Sequence, residues 1–152
     1  MTNPKVFIEN LNTAQTLLGL DFGDKTIGIA VSDKSLTIAS PIKTIRRKSI
    51  SKDLIELFDL IEVYNVGGLV VGFPLSLNGK ENIRTEQVRK FVKTIELQKN
   101  IKIMLYDERF SSDVIFKELR KNHNSISKIK KKLDQQAAAY ILQGFLDSSK
   151  KN

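Results

Sequence analysis

The sequence predicts one α/β domain built on a mixed five-stranded sheet flanked by helices, with elements in the order βββαβαβαα. Three observations predict it. Two short apolar runs, Leu17, Leu18 and Leu20, then Ile27, Ile29, Ala30 and Val31, are split by the turn-forming FGDKT, as in two antiparallel strands of a hairpin. The stretch GGLVVGFPL is apolar throughout, the mark of a strand covered on both faces in a parallel sheet. Beyond it, segments with apolar residues at helical spacing alternate with strands, which argues for crossover connections.

Taken in order, SPIKTIRR (40–47) reads as the third strand. Leu54, Ile55, Phe58 and Ile61 mark an amphipathic helix over 51–64. GGLVVGFPL follows as the fourth strand and breaks at Pro74 into the polar loop SLNGKEN. Val88, Phe91, Val92 and Ile95 define a helix over 83–98, and IKIMLYDERF is the fifth strand. A further helix is expected over 112–121, from Val114, Ile115 and Leu119. A basic connection then leads to the last helix, 133–146, whose buried stripe is Ala137, Ala138, Ile141, Leu142 and Phe145.

The 152 residues suit a single core, and 41% apolar with 28% charged residues is a globular composition. No apolar run approaches the roughly 20 residues that span a bilayer. The opening MTNPKVFIENLNTAQ lacks the features of a signal peptide. Residues 1–15 therefore read as a partly ordered leader before a domain over 16–149, in a cytoplasmic protein. The absence of cysteine excludes thiolate zinc sites, disulfides and thiol nucleophiles. The one histidine, His123 in KNHNS, reads as a solvated loop residue, and no nucleophile elbow accompanies it. Chemistry must rest on carboxylates, lysines, arginines or a metal held through oxygen. A net charge of +8 and a pI near 9.7 favour a polyanionic partner, nucleic acid above all.

Asp21 is the first candidate acid. It stands at the inner end of a strand, where a carboxylate is costly unless a cation or hydrogen-bond donors compensate, although an Asx turn is the plainer alternative. Asp107 and Glu108 close the fifth strand, where ligand sites on open α/β sheets gather. Alternation lets at most one of them point at a given site. Asp134, in KKKLDQQAAAYIL, is either the N-cap of the last helix, worth about 1 kcal/mol, or a carboxylate facing the sheet on the stripe of Ala137, Ala138 and Ile141. Three such acids suit one or two Mg²⁺ ions, which take hard oxygen ligands and serve phosphodiester cleavage. Lys128, Lys130, Lys131 and Lys132 precede Asp134, and Arg109 follows Glu108; these are the candidate phosphate contacts. IRRK (45–48) and the set Arg89, Lys90 and Lys93 read as solvated faces, and Phe22, Phe73 and Phe110 as core residues.

LGLDFGDKTIGIAVSD, VVGFPLSLNGKE, DERFSS and LDQQAAAYILQGFLD, in this order and spacing, resemble the YqgF (RuvX) family over 17–147. The resemblance implies an RNase H-like fold related to Holliday junction resolvases. It also implies a Mg²⁺- or Mn²⁺-dependent cytoplasmic nuclease acting on the 5′ end of pre-16S rRNA in ribosome biogenesis. It puts the family's acids on Asp21, Glu108 and Asp134, with Asp107 the alternative within its motif. The chain departs from the family pattern at Thr26, where arginine is usual, and at Asn78-Gly79 and Glu81-Asn82, where D-G and E-G are usual. GLVVGFPL also lacks the acid that related resolvases carry near this strand, which leaves that place to Glu108.

Other readings start from the same residues. Actin-like and sugar-kinase ATPases open on a similar Asp-x-Gly hairpin but need two such domains, and no Walker A sequence is present here. A Holliday junction resolvase-like DNA nuclease acting on branched DNA is one alternative function. A nucleic-acid-binding factor without turnover is the other, although unused acids on a phosphate-binding surface would only weaken binding.

Overall fold

The computed structural model describes residues 3–108 and 126–150, with 126–135 as backbone. The expected helix over 112–121, together with Arg109 and Phe110, lies outside the described residues. The chain begins with α1 (Pro4–Glu9), absent from the expected order, which Asn3 caps by accepting the Lys5 N–H at 2.8 Å. It buries Phe7, edge-on to Phe145 at 5.7 Å.

β1 (Thr16–Phe22), β2 (Thr26–Ser32) and β3 (Ala39–Arg46) form an antiparallel meander. After α2 (Ile50–Val63), β4 (Val66–Phe73) returns beside β1 and parallel to it. α3 (Ile83–Gln98) leads to β5 (Lys102–Asp107), parallel to β4, and the last helix is α4 (Ile126–Ser149). The five strands lie in the order β3-β2-β1-β4-β5, a mixed sheet as expected. Pro41 sits on the edge strand β3, where its missing N–H is tolerated, and the ladder shifts register beside it. Among the described residues no helix is long and apolar enough to cross a membrane.

Strand alternation divides the core in two. Leu18, Leu20, Ile27, Ile29, Leu69 and Val71 face α2 and α3, against Leu54, Leu57, Ile61, Val88, Phe91 and Ile95. Leu17, Ala30, Val70 and Met104 face α4, against Ala138, Ile141, Leu142 and Phe145. Gly19 lets α4 approach closely: a Cβ there would stand 2.6 Å from Leu142 Cβ and 2.8 Å from the Ala138 carbonyl oxygen. Gly19→Ala is therefore expected to cost about 2–3 kcal/mol, since backbone must move to admit it. A melting temperature unchanged from wild type would disprove that contact.

α4 begins eight residues before Asp134. The lysines at 128–132, expected in a connection, are helical instead, and Lys is a good helix former. The expected start at 133 stopped at the basic run, although Ile126, Ile129 and Leu133 continue the spacing of Ala137 and Ile141 back to the start of the helix. The N-cap reading of Asp134 is thereby overturned.

Candidate active site

Because β1, β4 and β5 run parallel, their C-terminal ends meet at one rim of the sheet. Leu20 pairs with Val71 and Gly72 with Tyr106, so Asp21, Gly72 and the end of β5 lie side by side. Alternation then sets which side chains share a face. On β1, Leu17 and Gly19 face α4, and Asp21 follows in the same phase. On β5, Met104 and Tyr106 pack on the α4 side. The Glu108 N–H donates to the Phe73 carbonyl at 3.3 Å, carrying the ladder one residue past the strand and keeping Glu108 in the phase of Tyr106. Its carboxyl lies over Gly72, where a Cβ would meet Glu108 Cδ and Oε1 at 2.9 Å and Ile141 Cδ1 at 2.6 Å. Asp107 has the opposite phase and is exposed. Glycine at position 72 thus makes room for an acid brought in from the neighbouring strand.

Glu108 is half-buried, and its carboxyl is pushed up from the ordinary 4.5 to about 8. Withdrawal from water is the main cause and the nearby charge of Asp21 the second; Asp107 adds to it, while Arg84 works against it. Two carboxylates crowded in this way favour either a proton or a cation between them. The chemistry of these donors, hard oxygens in a chain without cysteine, fits Mg²⁺ or Mn²⁺. Among the described residues no three acidic or histidine groups gather in metal-binding range. Asp134 belongs to α4 one turn before Ala138, the residue whose carbonyl lies under Gly19; its side chain is outside the described residues, as are those of Lys128, Lys130, Lys131 and Lys132.

The loop after β4 positions a residue that the sequence did not single out. The Asn82 amide donates to the Pro74 carbonyl at 2.9 Å and to Ser76 Oγ at 3.0 Å. The same side chain accepts from the Thr85 N–H at 3.0 Å, and Thr85 Oγ1 accepts from the Asn82 N–H at 2.7 Å, a reciprocal cap. The departure from glycine at position 82 thus starts α3 and puts Arg84 in its first turn, close enough to act on Glu108. An Arg in a first turn carries no periodic signal, so only the folded loop reveals it. Arg89, expected on a solvated face, is exposed but grips both oxygens of Glu81 at 2.6 and 3.0 Å and lies over the Phe73 ring. Phe22 and Phe73 pack into the core as expected.

The family model described as "RuvX: Holliday junction resolvase" matches residues 15–148. The chain belongs to the RuvX family. Two relatives of this RuvX chain carry the name "Putative pre-16S rRNA nuclease". One, from Paramagnetospirillum magneticum, is 40% identical over 145 residues, covering 95% of this chain and 94% of that protein. The other, from Zymomonas mobilis, is 41% identical over 144 residues, covering 95% and 88%. The fold is that of Thermus thermophilus RuvC, solved with a Holliday junction substrate (TM-score 0.51, 10% identity, 88% of this chain and 94% of that one). It is also that of the yeast mitochondrial Holliday junction resolvase Ydc2 (TM-score 0.51, 12% identity, 96% and 84%). The RNase H-like fold expected of a RuvX member is therefore the fold found.

Proposed function

We propose that this chain is a metal-dependent nuclease that cuts a phosphodiester bond at the 5′ end of pre-16S rRNA. The observation that carries the reading is Asp21 and Glu108 brought together at the sheet rim, with Glu108 raised to about 8. Asp21 and Glu108, joined by Asp134 from α4, are the residues that would hold Mg²⁺ or Mn²⁺. Such an ion, when bound, supplies charge that activates the attacking water and stabilises the leaving oxygen. Glu108 holds a proton on its carboxyl at neutral pH and surrenders it when a cation enters. Arg84, on the opposite side of Glu108's charge balance, meets a phosphate of the strand. Arg109 and the lysines at 128, 130, 131 and 132 hold the flanking backbone.

The choice of RNA over branched DNA follows the names of the relatives, and a pre-rRNA substrate puts the protein in the cytoplasm. The family description keeps a four-way DNA junction as the second substrate to test. The experiment is incubation of a pre-16S 5′-leader fragment and a four-way junction, each with Mg²⁺, Mn²⁺ or EDTA. Metal-dependent cutting of the RNA fragment alone supports the reading. Cutting of the junction alone replaces the substrate, and salt-sensitive binding without cutting of either replaces the enzyme with a binding factor.

Arg84→Gln is expected to weaken binding several-fold and to flatten the slope of log affinity against log salt by about 0.7–0.9. Arg84→Lys should restore that slope. Equal slopes in wild type and Arg84→Gln would remove Arg84 from phosphate contact.

A further inference from the structure

Phe22 follows Asp21 directly, and alternation sends its ring to the opposite face of the sheet, toward α2 and α3. There it meets two planar groups. The Phe91 ring is stacked on it at 4.3 Å with 15° between planes, and the Arg47 guanidinium stands 4.4 Å from its centroid. Arg47, expected on a solvated face, is held in place: Nη1 donates to the Gly23 carbonyl at 2.8 Å and the Asp24 carbonyl at 3.1 Å. Nε lies 3.9 Å from Oδ2 of Asp53, a buried carboxylate that also accepts the Lys48 N–H at 3.0 Å. The side chain of Arg47 is nevertheless 29% exposed. It walls a cleft of about 250 Å³ together with Phe22, Phe91, Asp24, Gln87 and Lys90.

We propose that this cleft, with the Arg47 guanidinium as its platform, seats one unpaired nucleobase of the substrate strand next to the cleavage site. The proposal rests on the nuclease reading above and extends it to the substrate's single-stranded flank. Phe91, Phe22 and Arg47 all line the cleft, and a base packed against the guanidinium adds a stacking contact there. The carbonyls of Gly23 and Asp24 already hold the guanidinium in place, so little ordering entropy is lost when a base lands on it. The Gln87 amide can both donate to and accept from a base edge, and Asp24 accepts from an amino group. Asp24 also disfavours a phosphate deep in the cleft, whereas Lys90 at its wall, exposed and 3.6 Å from Glu86, can turn to a phosphate outside. The cleft and Asp21 lie on opposite faces of the sheet and meet at the hairpin turn, where Asp24 lines the cleft three positions after Asp21.

The test measures binding of a short single-stranded oligonucleotide, as RNA and as DNA of the same sequence, in EDTA, with an abasic nucleotide moved along the strand. In the wild type one abasic position is expected to weaken binding roughly tenfold, within the range of one base stack. The same position should matter much less in Arg47→Lys, which keeps the charge and loses the plane, and in Gln87→Ala, which loses the edge contact. Gln87 is exposed within α3 and Ala is the best helix former, so that variant keeps the fold if Arg47→Lys does not. An equal effect in RNA and DNA assigns the cleft to the base, and an effect in RNA alone adds the ribose. An abasic scan that is flat, or the same in wild type and Gln87→Ala, overturns the proposal, as does failure of the wild type to bind either strand. Cutting of the leader fragment is read separately, so loss of the cleft and loss of the nuclease are distinct results.

Discussion

Asp21→Asn is expected to lower metal-dependent cleavage about a hundred- to a thousandfold, while the protein stays folded and still binds its strand. Asparagine preserves the size of the side chain but removes the charge of one of the three acids that would hold the cation. Loss of one charge-stabilising group acting at the transition state is felt on this scale. The charge of Asp21 is the second cause, after withdrawal from water, that pushes the Glu108 carboxyl up. Its replacement should let Glu108 return part of the way toward its ordinary range, since withdrawal from water remains. Single-turnover cleavage at saturating enzyme, with melting temperature and strand affinity measured beside it, tests all three expectations. A variant that cuts at the wild-type rate with the same metal dependence would sink the proposed site.

Glu108→Gln should change stability in a pH-dependent way. In the folded protein the Glu108 carboxyl titrates near 8, against an ordinary value of 4.5. Between these values the folded state binds more protons than the unfolded state, so this group's contribution to stability falls as pH rises from about 4.5 through about 8. Glutamine has no charge to desolvate and escapes that loss. Near pH 8.5 in EDTA the variant is expected to be more stable than wild type by on the order of 2–4 kcal/mol, or roughly 5–10 °C in melting temperature. Near pH 4.5 the two should melt almost together. Adding Mn²⁺ at the higher pH should raise the wild type more than the variant, because only the wild type presents the Glu108 carboxylate to the cation there. A stability difference that is the same at both pH values would remove Glu108 from the charged pair.

The order of strands and helices, the hairpin carrying Asp21 and the apolar stripe of the last helix were legible in the sequence, because each is written in local periodicity and turn chemistry. Period 2 marked Leu18 and Leu20 for one face and Leu17 and Gly19 for the other. An acid continuing the second series had to face α4. Motif order carried the family as well, since four segments in register leave little freedom of alignment. The sequence was silent where the outcome depended on a neighbouring element. Asp107 and Glu108 are equivalent as adjacent acids; the bond from the Glu108 N–H to Phe73 and the space over Gly72 are what separate them. Asp134 read either as a cap or as a carboxylate on the apolar stripe, because the helix was started beside it; the helix in fact runs back to Ile126. Arg47 and Arg84 resembled any surface arginine until tertiary contacts brought one onto Phe22 and the other near Glu108. Phe7 lay in a stretch read as leader, and only the Phe145 ring, far along the chain, makes it core. Periodicity and turn residues act over a few positions and survive in the sequence as pattern. Side-chain encounters across the sheet are set by packing between distant segments, so only the folded chain decides them.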